Sequence, residues 1–198
     1  MPLPDVIFLN GSSSAGKTSL AKALQARLAE PYLHFGVDDL FPWLPPQWNG
    51  TPEGFQLIPL SSGEMPITVG EGGRRVMRAW RRMLRSAADE GLKFILDEVM
   101  ITEGALDEWI EALDGLDVFF VGVRCELAEL QRREAARGDR GVGQALWQHE
   151  RVHVHVPYDL EVDTTGASAE ACAEAIITAL AHRQRPSAFE RLVQAAAQ

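Results

Sequence analysis

The run Gly11-Ser12-Ser13-Ser14-Ala15-Gly16-Lys17-Thr18 constrains this chain more than any other feature, because it fits G-x-x-x-x-G-K-[ST] between an apolar segment and a helical pattern. Before it, Val6-Ile7-Phe8-Leu9-Asn10 reads as a parallel strand buried on both faces. After it, Leu20, Leu24 and Leu28 recur at four-residue steps, with Lys22, Gln25 and Arg27 between them. A triphosphate carries several negative charges, and a Gly-rich turn whose N–H groups converge, continued by a helix N-terminus, is a preorganised cradle for them. Gly11 and Gly16 supply the backbone freedom, and Ser12, Ser13, Ser14, Ala15 and Ser19 complete the expected nucleotide-binding set. Lys17 would reach the β- and γ-phosphates of ATP, and the Thr18 hydroxyl would be a ligand of Mg²⁺. At ordinary residue usage a chain of this length matches the motif by chance about 0.7% of the time, so a solvated Ser/Gly turn is the weaker reading.

That opening dictates how the remaining apolar runs are read. Leu33-His34-Phe35, Phe94-Ile95-Leu96-Asp97 and Val118 to Val123 resemble the first strand, with a weaker candidate at Leu160 to Asp163. Helical patterns over 74–90, 106–113, 126–136, 169–181 and 188–197 alternate with them. Strands alternating with helices imply crossover units, hence an α/β three-layer sandwich with a parallel sheet of about five strands. On the helix over 74–90, Val76, Trp80, Met83, Leu84 and Ala87 form the apolar face, and the arginines among them, Arg81 included, read as a solvated face. Two stretches interrupt the alternation. Residues 41–73, rich in Pro and Gly, are too long for an ordinary connection and read as an acceptor-pocket insertion. Residues 133–148 read as a small helical lid, with Arg137 to Gln148 suiting a mobile flap better than a packed helix. All of it fits in one domain of 198 residues, with an extra helix over about 186–198.

Charge and composition narrow the partners. A net charge of -9 opposes binding to nucleic acid. No apolar run approaches the roughly 20 residues of a membrane span. Cys125 and Cys172 have no paired spacing and the first residues lack a signal-peptide pattern, so a reduced, cytoplasmic protein is expected. A homo-oligomer stays open.

The second strand ends in Gly36-Val37-Asp38-Asp39, at the sheet edge where ligands bind, and Asp38 there could take a proton from an acceptor hydroxyl. The alternative is that Asp38 caps a helix. Asp97, at the end of the 94–97 run, stands where a carboxylate holds Mg²⁺ or its water, and Glu98 could substitute. Arg132 to Arg140 gathers arginines at a helix end, and Arg133, Arg137 and Arg140 suit a transferring phosphate, which guanidinium groups meet bidentately.

With these pieces assembled, the chain resembles the chloramphenicol phosphotransferase family of P-loop kinases. The resemblance rests on Leu9 to Lys17, Phe35-Gly36-Val37-Asp38, Ile95-Leu96-Asp97, Val121 to Cys125, Ala136-Arg137-Gly138-Asp139-Arg140, Tyr158-Asp159 and Glu161 to Thr165. It implies phosphorylation by ATP of a primary hydroxyl of the antibiotic. Asp38 would then be the general base, Lys17 and Arg140 would stabilise the transferring phosphate, and Arg133 and Arg137 would support the lid. The stretch Phe41 to Met65 departs from the family pattern, leaving the hydroxylated small-molecule acceptor open, whether chloramphenicol or another antibiotic or metabolite. Trp43, Trp48, Phe55 and Met65 are the candidate acceptor-pocket residues, with Asp38 and Asp97.

Two rival readings remain. His149-Glu150-Arg151-Val152-His153 fits the zinc motif H-E-x-x-H, but alternating valines and Pro157 oppose a long zinc-binding helix. A non-catalytic nucleotide-binding regulator would keep Lys17 and Thr18 yet need no base at Asp38.

Overall fold

The computed structural model describes residues 2–101, 104–138 and 141–196. Its frame is a parallel sheet of β1 (Val6–Asn10), β2 (Leu33–Gly36), β5 (Phe94–Glu98), β6 (Val118–Arg124) and β7 (Leu160–Asp163), in the order β2-β5-β1-β6-β7. Every residue of β1 is buried, since it pairs in parallel with β5 on one side and β6 on the other. That is why its sequence is apolar without alternation.

Pleating still divides those residues between two cores. Ile7 and Leu9 pack with Leu20 and Leu24 of α1 (Lys17–Gln25), Leu130 of α4 (Leu127–Arg137) and Ile176 of α6 (Ala169–Ala181). Val6 and Phe8 face the opposite way, toward Trp80 of α2 (Glu71–Asp89), Trp109 of α3 (Ala105–Ala112) and Phe189 of α7 (Ala188–Ala196). The result is the three-layer sandwich expected. The C-terminal α7 belongs to the core: Asp159 accepts from Phe120 N (2.9 Å) with one oxygen and from Ala188 N (2.6 Å) with the other. The chain's path explains where a ligand can bind. From β1 it crosses to β2 at one edge, and from β5 it passes over β1 to β6, so a crevice opens at the carboxyl end of β1.

Three local expectations are corrected. The acceptor-pocket insertion, in which no strand was expected, contains β3 (Phe55–Leu57) and β4 (Ile67–Val69), which pair antiparallel. Glycine makes this possible. Gly70 N donates to Gly54 O (2.7 Å), and a Cβ on Gly70 would sit 2.0 Å from Pro52 O, a space no other residue can share.

The expected flap, from Arg137 to Gln148, instead contains the packed helix α5 (Gln144–His149), with Gln144, Ala145 and Gln148 buried. Buried Glu134 organises it by accepting from Gly143 N (2.8 Å) and Ala145 N (2.9 Å), two N–H groups of the helix start. Helix α2 is also rotated from the face expected, since Met83 is 57% exposed whereas Arg81 is 3% exposed.

Candidate active site

At the end of β1 the chain turns through the phosphate loop, with Gly16 at φ 84° immediately before α1. A side chain at Gly16 would strain that left-handed conformation, so the loop and helix join through glycine. Ser14 holds φ 64° without being glycine, local strain of the kind that collects at ligand sites. The loop opens into a cleft of about 950 Å³, at the upper end of the range usual for small-molecule sites.

Asp97, at the end of β5, gathers the polar groups of the loop. Thr18 Oγ1 donates to its Oδ2 (2.8 Å), and Lys17 Nζ lies 3.5 Å from its Oδ1 while donating to Ser12 O (2.9 Å). Burial pushes the Asp97 carboxyl up, but the Lys17 ammonium and the bonds around it outweigh burial, and the net direction is down. His34 Nε2, 3.7 Å away, is too far to hydrogen-bond it. Glu98 cannot substitute for Asp97, because its carboxyl turns aside to accept from Val99 N (2.8 Å) and Trp109 Nε1 (3.1 Å). Burial pushes the Glu98 carboxyl up, toward the neutral form.

The chain leaves β2 into a 3-10 turn over Val37–Trp43, where exposed Asp38 borders the same cleft. Its neighbour Asp39 does the capping, accepting from Gly36 N (2.8 Å).

Arg133 and Arg137 border the cleft from α4. Arg133 is extensively engaged: Nε donates to Glu129 Oε1 (2.7 Å) and Nη2 to Thr164 O (2.6 Å), which ties α4 to the turn after β7. Arg140 lies outside the described residues. Ser13, Ser14, Gly16, Lys17, Thr18 and Ser19 line the cleft, while Gly11, Ser12 and Ala15 are buried within the loop itself.

The expected acceptor residues divide. Phe55 lines the cleft, stacked edge-on with Phe41 at 5.4 Å between ring centroids. Trp43 and Trp48 line a separate hollow of about 170 Å³ with Val76, Trp80 and Met83. Met65 packs against Gly141 and Gly143, and its N donates to Gly143 O (3.0 Å).

Among the cleft residues missed as site candidates are Gln148, Arg81 and Met77, together with the apolar Val37, Phe41, Ile67 and Val69. Gln148 Oε1 accepts from Ser13 N (2.6 Å), joining α5 to the phosphate loop, and nothing in single-sequence spacing marks it. For Arg81 a signal existed, since it follows Met77 by four residues and precedes Leu84 by three, on one helix face.

The zinc-motif residues are separated by the end of a helix. Helix α5 stops at His149, and His153 Nδ1 instead meets Tyr158 Oη (2.7 Å), which accepts from Asn10 Nδ2 (2.8 Å). Among the described residues no group of His, Cys, Asp and Glu could hold a metal by itself, and no helix is long and apolar enough to cross a membrane.

Residues 4–181 match the family described as chloramphenicol phosphotransferase-like protein. A Mycobacterium tuberculosis (strain H37Rv) protein named as a candidate O-phosphotransferase is 33% identical over 205 residues, covering 97% of this chain and 89% of its own length. Among solved structures, the M. tuberculosis APS kinase CysC in complex with AMPPNP and APS superposes with a TM-score of 0.63 at 16% identity, over 92% of this chain and 99% of that one. A gluconokinase from Sinorhizobium meliloti 1021 gives a TM-score of 0.61 at 17% identity, over 92% of this chain and 94% of the other. At these identities the two structures bear on fold: this chain has the architecture of small P-loop kinases.

Proposed function

This chain belongs to the chloramphenicol phosphotransferase-like family, and on that premise we propose that it moves the γ-phosphate of ATP to a hydroxyl of a small molecule, with chloramphenicol the first acceptor to test. The observation that carries this reading is the convergence of the phosphate loop, Asp97 and Asp38 on one cleft with an apolar wall.

The N–H groups of the loop and the start of α1 hold the phosphates, and Lys17 meets their charge. Thr18 and Asp97 present adjacent hard oxygens, a donor set suited to Mg²⁺, which fills most of its shell with water and phosphate oxygens. Bound there, the ion would supply neutralising charge at the β- and γ-phosphates. Asp38 orients the acceptor hydroxyl and takes its proton as the new oxygen–phosphorus bond forms. The bond from the γ-phosphorus to the bridging oxygen breaks in the same displacement, and ADP carries away that electron pair. Arg133 and Arg137, joined by Arg140 on the family resemblance, meet the charge on the transferring group. Val37, Phe41, Phe55, Ile67 and Val69 hold the body of the acceptor and exclude water, while Trp43, Trp48 and Met65 stand outside this wall.

Comparing Asp38→Asn with the unaltered chain tests the base. The variant keeps size but loses the basic oxygen, so kcat on chloramphenicol should fall by about 10² to 10⁴-fold with ATP affinity unchanged. Full activity of the variant removes Asp38 as base. Absence of phosphorylated chloramphenicol from the unaltered chain removes that acceptor but not the kinase reading.

A further inference from the structure

One buried cation in the cleft has no part in the reaction just described. Arg81 projects from α2 one turn after Met77, and both line the cleft beside Val99, Ile101 and Ala105. The guanidinium lies over the indole of Trp109, 4.9 Å from the ring centroid, and Nη1 is ion-paired with Glu108. That pair lacks hydrogen-bond alignment: Nε and Nη1 are both buried and neither has a hydrogen-bond partner among the described residues. Glu98 attracts the guanidinium from nearby, but accepts from Val99 N and Trp109 Nε1 instead of bonding to it.

Buried N–H groups left without a hydrogen bond are costly, and an apolar side chain would fill this place at less expense. A guanidinium over an aromatic ring, with Nε lacking any hydrogen-bond partner and Nη1 held only by its ion pair with Glu108, retains planar donor capacity that matches a planar pair of oxygens. The apolar side chains beside it suit a ring carrying that group.

We propose that Arg81 determines acceptor specificity by binding a planar two-oxygen group, a carboxylate or a nitro group, on the acceptor away from its reacting hydroxyl. The word acceptor rests on the kinase reading above; the oxygen-binding site itself stands without it. A purely structural Arg81 would only tie α2 to α3 through Glu108, and its loss would alter stability but not discrimination among ligands.

Benzoate, 4-nitrobenzyl alcohol and benzyl alcohol, titrated calorimetrically into the full chain saturated with AMPPNP, separate the cases. Benzoate, 4-nitrobenzyl alcohol or both should bind at least about tenfold more tightly than benzyl alcohol, as expected for bonds from a charged donor. The stronger of the two identifies the source, a carboxylate or a nitroaromatic acceptor. Arg81→Met should erase the difference with AMPPNP affinity intact, and Arg81→Lys should retain part of it. Equal affinities in the unaltered chain, no saturable binding of any probe, or a preference that survives Arg81→Met would each overturn the proposal. If Arg81→Met fails to fold, Arg81→Lys decides, because the loss of the planar fork must still weaken the preferred probe. Failure of the unaltered chain to bind AMPPNP would defeat the kinase reading instead, and the three probes would then be compared without nucleotide.

Discussion

Asp97 is held ready by its neighbours: burial alone would favour its neutral acid, and Lys17 and Thr18 keep it a carboxylate. Lys17 is itself only 6% exposed, so it does more than wait for a phosphate. Lys17→Ala should slow phosphoryl transfer by roughly 10²-fold or more. It should also cost about 1 to 2 kcal/mol of stability, a modest amount because Thr18 still donates to Asp97. Steady-state kinetics and urea unfolding of the same preparation check both, and unchanged turnover would remove Lys17 from the mechanism. The meeting of Lys17 and Thr18 with Asp97 was legible because the loop motif sets the first two at a helix start and the apolar 94–97 run ends in Asp97 at the same sheet edge. For Arg81 the spacing from Met77 and Leu84 was a partial signal, outweighed because an arginine on a charged helix reads as solvated unless the helix's rotation against the sheet is known. Trp43 and Trp48 line a hollow separate from the cleft, which aromatic character alone does not reveal.

The elements around the loop carry the next level of control. Glu134 accepts from two N–H groups at the start of α5, and Gln148 of α5 accepts from Ser13 N. Glu134→Ala would orphan two buried donors, each costing about 1 to 3 kcal/mol. Hydrogen exchange should show α5 losing protection while the sheet keeps it, and uniform protection would contradict this account. The segment after α5 adds a pH dependence. Burial, chiefly, depresses His153 from 6.5 to about 4, so between those values the unfolded chain binds the proton and the folded chain does not. Stability should therefore fall as pH drops from about 6.5 toward 4, by about 1 to 2 kcal/mol once the partial exposure of the ring is discounted. Urea midpoints of the unaltered chain and His153→Phe across that window test this, and an identical pH slope in both would contradict it. Central strands were readable from continuous apolar runs, whereas β3 and β4, at three residues each, are too short to show a period. Helix α5 was hidden by the glycines before it, whose capping partner, Glu134, comes from another helix.

For the whole molecule, the order β2-β5-β1-β6-β7 sets the phosphate loop on the central strand and brings α4 and the turn after β2 over one crevice. On the proposed reading, donor and acceptor meet at a single edge of the sheet, and the insertion hairpin lines the apolar side of the cleft. Glu64 and Met65 of that hairpin also touch the opposite wall: Met65 N bonds to Gly143 O, and Glu64 pairs with Arg151 (3.2 Å). The two walls are thus linked through backbone and charge. The central claim is that this crevice transfers phosphate from ATP to a hydroxyl rather than merely binding nucleotide. Mass spectrometry of the full chain incubated with ATP, Mg²⁺ and a panel of hydroxylated small molecules that includes chloramphenicol tests it most directly. The account predicts an acceptor that gains one phosphate for each ADP released; ATP bound tightly but left intact with every acceptor would contradict it.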